Sequence, residues 1–175
     1  MVSVPSPCKK LPTGFTRNSS DIHNKITHII IIMDTSLSLR KTHRPVRDII
    51  IHCSATPEGR DYTVADITRW HRQRGFSTIG YHYVIYRDGS IHCGRNIDSI
   101  GAHCQGHNTG SIGICYIGGV AADGHTPKDT RTPQQRQALR TLVEALQQLY
   151  PGATVHGHND YAAKACPSFR VETDL

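Results

Sequence analysis

Two stretches of this chain, "VRDIIIHCSAT" beginning at Val46 and "SIGICYIGG" beginning at Ser111, run through β-branched and apolar residues without the polar alternation of a half-exposed strand. Runs of this kind make strands buried on both faces, the first of them ending at a Thr56-Pro57 turn, and such strands need helices packed over the sheet that holds them. The helices are readable too. "TVADITRWHRQRG" has Thr63 with Asp66 three positions later, a capping box, and closes on Gly75, which puts Val64, Ile67 and His71 on one stripe. "TPQQRQALRTLVEALQQLY" has Thr132 as cap and Pro133 in the first turn, with Leu139, Leu142, Val143, Leu146 and Leu149 at helical spacing. "YHYVIYRDGSIHCGR" reads as two strands around an Asp88-Gly89 turn, and "ATVHGH" as a last strand. Strands and helices interleave around a hairpin, so the expected fold is α/β, one domain with a mixed central β-sheet and flanking helices.

That pattern starts at about Arg44. Residues 1–43 open with "MVSVPSPCKKLPTGFTRNSSDIHNK", rich in Pro, Ser and Lys and without helical or strand period, which predicts a flexible extension preceding a domain over 44–175. Within it, "ITHIIIIM" has the composition of an added strand. Lys9 and Lys10 are followed by Pro12 and Gly14 instead of an apolar stretch, so no secretory signal is read and the chain is expected to accumulate in the cytoplasm. Nothing has the length and hydropathy of a membrane span, and no membrane partner is expected.

The formal charge of +6 and pI near 9.1 favour an anionic partner, nucleic acid or anionic cell-wall polymer. The basic residues are scattered and no aromatic stripe is interleaved with them, which argues against specific nucleic-acid binding. Six cysteines in a chain of 175 residues with an ordinary core composition need not form a disulfide framework. Cys53 follows His52 on a strand and so faces the core, and Cys93, Cys104 and Cys115 read as inert rather than paired.

Three residues lie where a sheet can bring side chains to one edge. His52 is on the first core strand, His158 follows the last, and Cys166 sits in the loop "KACPSF" beyond it. Two imidazoles and a thiolate, with a fourth position left to water, form a donor set used for catalytic zinc. Spacing alone leaves a second reading open, in which both histidines are satisfied core residues and Cys166 is a buried thiol.

"IIIHCSAT", "GYHYVIYRDGSI", "GAHCQGHNTGSIGICYIGG" and "HNDYAAKACPSF", in this order and at these separations, resemble the zinc-dependent N-acetylmuramoyl-L-alanine amidases, a family that includes the short T-odd phage lysozymes and shares its fold with the animal peptidoglycan recognition proteins. The resemblance covers about residues 45 to 170. It implies one Zn2+ per chain, held by His52, His158 and Cys166, with Tyr81 and Lys164 as catalytic residues and with His103 and Asn108 in a segment that lines the substrate groove. For His103 a hydrogen bond that stabilises the fold is the alternative. Asp160 is either an acceptor that orients His158 or a solvated loop acid. Tyr81 and Lys164 are placed to donate to a tetrahedral oxyanion, with Tyr81 alternatively handling the proton of the attacking water.

The implied activity is hydrolysis of the amide between N-acetylmuramic acid and L-alanine in peptidoglycan, by a monomer that reaches the wall after release, as a phage or prophage endolysin does. A peptidoglycan-binding module that does not cut is the competing class. Relatives of that class typically lack the ligand cysteine, which is present here as Cys166.

Overall fold

The computed structural model describes residues 29–32 and 37–175 of the chain. Strands β1 (Ile29–Ile32) and β2 (Leu37–Arg40) form an antiparallel pair. The central sheet has five strands, β3 (Asp48–Cys53), β5 (Tyr83–Ile85), β6 (Ile91–Cys93), β7 (Ser111–Tyr116) and β9 (Thr154–Gly157), in the order β6-β5-β7-β3-β9. Strand β3 is parallel to both β7 and β9, and β5 is parallel to β7; only the β5–β6 hairpin is antiparallel. A short parallel pair joins β4 (Thr56–Pro57) to β8 (Gly119–Val120).

The expected helices are present with their expected caps. Helix α1 (Val64–Gln73) begins at Thr63 and α2 (Pro133–Leu149) at Thr132, each with a reciprocal capping box. A last short helix, α3, covers Val171–Asp174. The side-chain period of two divides the middle strands between two cores. Ile49, Ile51, Ile112, Ile114 and Tyr116 pack with Leu139, Leu142, Val143 and Leu146 of α2. On the opposite face Val84, Cys115 and Ile117 pack with Ile67 of α1.

The first helix face also holds two histidines by their ring nitrogens. His71 Nδ1 accepts from the Gly80 amide at 2.9 Å, and His82 Nδ1 from the Gly113 amide at 3.0 Å. Burial lowers the pKa of each to about 4. Gln135, fully buried, links helix to sheet: its Oε1 accepts from the Thr132 amide, while its Nε2 donates to the Ile85 and Ile117 carbonyls at 3.3 and 3.0 Å.

Three local expectations need correction. The segment up to residue 43 is expected to be a flexible extension, yet Leu39 is fully buried in the α2 core, Thr42 is buried with its amide donating to the Tyr150 hydroxyl, and Arg40 pairs with Asp98. The β1–β2 pair lies beside α2, so "ITHIIIIM" does contribute a strand. The remainder of 1–43 lies outside the described residues. Thr56-Pro57 is expected as a turn that ends the first strand; instead Ala55 adopts a left-handed φ of 52° and the chain re-pairs with β8. Cys93, expected to be unpaired, is disulfide-bonded, whereas Cys104 and Cys115 are free and buried.

Gln135→Leu takes the side-chain partner from the Ile117 carbonyl and the Thr132 amide, each costing about 1–3 kcal/mol when unpaired, while the Ile85 carbonyl keeps its bond from the Ile117 amide. A lowered urea midpoint with an unchanged slope is expected, and a midpoint equal to the parent's would remove Gln135 from the stability of the fold. The two depressed histidines also set a pH dependence. Unfolded, they take up protons near the usual 6.5; folded, they resist until about 4. The unfolded state therefore binds more protons in that window, and stability is expected to fall as pH drops from about 6.5 to about 4. Urea unfolding across this range checks it, with His82→Gln expected to flatten the slope.

Candidate metal centre

Strand β3 is interior, between β7 and β9, and its alternation sends Ile49, Ile51 and Cys53 toward α2 while His52 emerges on the face shared with α1. His52 is 1% exposed. Its neighbours on that face are rings: Tyr81 at 5.1 Å between centroids, His103 at 5.0 Å and His158 at 4.6 Å.

His158 arrives from the adjacent strand. Strand β9 ends at Gly157 and the chain enters a tight turn over His158–Asp160. A Cβ on Gly157 would stand 2.1 Å from Asn159 Oδ1 and 3.1 Å from Pro167 Cδ, so the turn and the Cys166 loop approach closely only because this residue is glycine. Asp160 Oδ2 accepts from the Gly157 amide at 2.8 Å and lies 3.7 Å from His156 Nδ1. Of its two expected roles, then, Asp160 holds the turn and faces His156 rather than His158.

The Cys166 loop is fastened from below. Tyr116 on β7 donates its hydroxyl to the Pro167 carbonyl at 2.7 Å, and Ser168 Oγ donates to the Gly119 carbonyl at 2.7 Å. Phe169 is buried, with the Arg131 guanidinium 3.2 Å from its ring centre. These anchors aim Cys166 Sγ back at β3, where it accepts from the Cys53 amide at 3.3 Å and stands 3.8 Å from His52 Nδ1.

One ligating atom from each of His52, His158 and Cys166 lies within 4.8 Å of the other two. Zinc bonds of about 2.0–2.3 Å in a tetrahedron separate ligand atoms by roughly 3.3–3.8 Å, so the set matches a four-coordinate cation after small side-chain movements. The chemistry of the donors matches as well, because two neutral imidazoles and one thiolate suit a borderline-soft dication. Burial, then the neighbouring His103, His158 and Lys164, holds the pKa of His52 well below its usual range; burial and Lys164 lower that of His158. Both rings are therefore neutral and able to ligate at neutral pH. The hydrogen bond shared with Cys53, followed by burial, pushes the Cys166 thiol up. With a cation bound, Cys166 would ligate as the thiolate, so that uptake would release its proton.

The other candidate residues surround this centre. Tyr81 flanks His52, and its pKa is raised, first by burial and then by nearby thiols, so its hydroxyl keeps its proton. Lys164 is exposed, and its charge is felt at both His52 and His158. His103 is buried, with Nδ1 3.0 Å from His52 Nε2, and burial holds its pKa to about 3. Asn108 lies on the same loop, where its Oδ1 accepts from the His103 and Cys104 amides at 2.8 and 2.9 Å.

Sequence reasoning missed two further features. Ser111 Oγ lies 3.4 Å from His103 Nε2. His107 stacks on Tyr161 at 3.9 Å, joining the His103 loop to the His158 loop. Neither pair has a local signature, since the partners meet only through the fold.

Residues 42–169 match the family model described as N-acetylmuramoyl-L-alanine amidase. The endolysin of Klebsiella phage KP32 is 46% identical over 124 residues, covering 71% of this chain and 82% of the relative. Among solved structures, the N-acetylmuramoyl-L-alanine amidase LysC from Clostridium intestinale superposes with a TM-score of 0.63 at 30% identity, over 73% of this chain and 79% of that one. Wild-type Drosophila PGRP-LB superposes with a TM-score of 0.62 at 29% identity, over 75% of this chain and 80% of that one. With the motifs, the sheet order and the family model in agreement over one span, the chain belongs to the N-acetylmuramoyl-L-alanine amidase family.

Proposed function

We propose that this protein is a zinc-dependent amidase of the endolysin type, which cuts the bond between the lactyl group of N-acetylmuramic acid and the first L-alanine of the peptidoglycan stem peptide. The observation that carries the reading is the convergence of His52, His158 and Cys166, from two neighbouring strands and an anchored loop, beside Tyr81 and Lys164. In this reading one Zn2+ per monomer is held by those three side chains. Residues 37–175 form the amidase unit, which meets its substrate once it reaches the cell wall.

An amide is a weak electrophile, and its hydrolysis needs an activated water and a receiver for the negative charge that develops on oxygen. Zinc supplies Lewis acidity at such a site, acidifying water and polarising the carbonyl. The chain's own residues do the rest. His52, almost fully enclosed, provides a rigid wall, while the more exposed His158 and Lys164 mark the side from which substrate enters. Lys164, whose charge is felt at the two ligand imidazoles, is assigned as a donor to the developing oxyanion. Because Tyr81 keeps its proton, its hydroxyl is assigned as a second donor to that oxygen instead of as a base. His103 stands against His52, and Asn108 on the same loop sets that loop's shape through its bonds from the His103 and Cys104 amides. The binding-only alternative leaves the enclosed thiol and the uncommitted lysine without a purpose.

Cys166→Ser is expected to abolish lysis of purified cell walls and to lower zinc content after dialysis; a variant that retains both would remove Cys166 from the ligand set. Lys164→Ala is expected to keep zinc but lower kcat by roughly 10²-fold, the scale for losing one oxyanion donor. Mass spectrometry of the released fragments identifies the bond, since the cut leaves a free lactyl carboxylate and a free alanine amine.

A further inference from the structure

His52 can ligate through Nδ1 only if its single proton sits on Nε2, and the structure contains a device that decides this. His52 Nε2 lies 3.0 Å from His103 Nδ1, His103 Nε2 lies 3.4 Å from Ser111 Oγ, and Ser111 Oγ lies 2.7 Å from the His107 carbonyl. The last member has no choice of role, because a carbonyl oxygen only accepts. Ser111 must therefore give its one proton to His107, which leaves its oxygen to accept from His103 Nε2–H. With its proton there, neutral His103 has a bare Nδ1, which accepts from His52 Nε2–H. The remaining nitrogen, His52 Nδ1, is left with a free lone pair, and this is the atom that stands 3.8 Å from Cys166 Sγ.

We infer that Ser111 and His103 are positioning residues that set the tautomer of His52 from the His107 carbonyl, and so prepare its Nδ1 for the metal before any metal arrives. This rests on the metal-site reading above. Two glycines hold the middle ring in place. A Cβ on Gly101 or on Gly113 would each stand 2.5 Å from His103 Cδ2, so the ring occupies a slot that no other residue type at either position would leave open. Ser111 and Gly113 lie on the same face of β7, which makes this one strand both the wall of the slot and the source of the hydroxyl. Metal-bound histidines more often direct their second nitrogen to a carboxylate or a carbonyl. Here the terminal carbonyl acts through two intermediate groups and no negative charge is added, so the formal charge of a zinc site with one thiolate remains +1.

The test reads tautomers directly. Long-range 1H–15N spectra of histidine-labelled, metal-free parent protein should place the proton on Nε2 in both His52 and His103. A proton on Nδ1 of either ring overturns the inference, and this measurement needs no variant. Ser111→Ala removes the acceptor that orients His103, and should repopulate its Nδ1–H form and weaken zinc binding roughly 10-fold or more in competition with a chromophoric chelator. KM at saturating zinc should not change. His103→Leu should weaken zinc further, and His103→Asn, which restores an acceptor near the Nδ1 position, should recover most of that loss. Parent-like zinc affinity in Ser111→Ala and His103→Leu, or a change confined to KM, would assign His103 to substrate contact instead. The arms separate the two readings: correct tautomers in a chain that takes up no zinc would defeat the metal site and leave the relay standing, while zinc uptake with the wrong tautomers would do the reverse.

Discussion

The site depends on one strand being paired on both sides. Strand β3 has parallel neighbours in β7 and β9, so its backbone is held by two ladders and its side chains have only two directions available. Ile49, Ile51 and Cys53 are committed to the α2 core, and that commitment carries His52 to the other face, since a one-residue slip would bury the imidazole among leucines. The packing of α2 thus orients a residue it never touches. The same alternation on β7 places Gly113 and Ser111 where His103 needs space and an acceptor.

The centre also keeps its supporting groups nearly uncharged. His52, His103, His82 and His71 are all enclosed and all disfavour a proton. A cluster of this kind offers lone pairs without repelling a cation, with the charge of Lys164 felt at its edge by His52 and His158. Carboxylates are kept at the margin: Asp160 is spent on the Gly157 amide, and Asp48 faces His156 at 3.9 Å.

Much of the architecture is legible in the sequence because its causes are local. Capping boxes at Thr63 and Thr132, the Asp88-Gly89 turn and the two apolar runs each declare themselves within a few residues, and all are found in the structure. The donor triplet is legible through resemblance more than through spacing, because 106 residues separate His52 from His158 and no helical or hairpin period links them. What escapes a linear reading is decided by distant partners. Leu39 gains its burial from α2, Ala55 accepts a left-handed backbone so that Thr56 can pair with Gly119, and His103 meets His52 across 51 positions of sequence. Asn108 illustrates the same limit: its loop looks like a groove lining, and its carbonyl oxygen turns out to hold two backbone amides.

Strand β9 lies at the edge of the sheet, hydrogen-bonded to β3 alone, and His158 comes directly after it. A cation shared between His52 and His158 would consequently act as a rivet between an interior strand, β3, and the edge strand beside it. Occupancy and edge integrity would then become one equilibrium: whatever peeled the rim away would release the ion, and binding would make peeling harder in proportion to the logarithm of the free ion concentration. Catalytic competence and resistance to local fraying would rise and fall together in this protein, even though the larger hydrophobic core, under α2, lies on the opposite face of the sheet from His52.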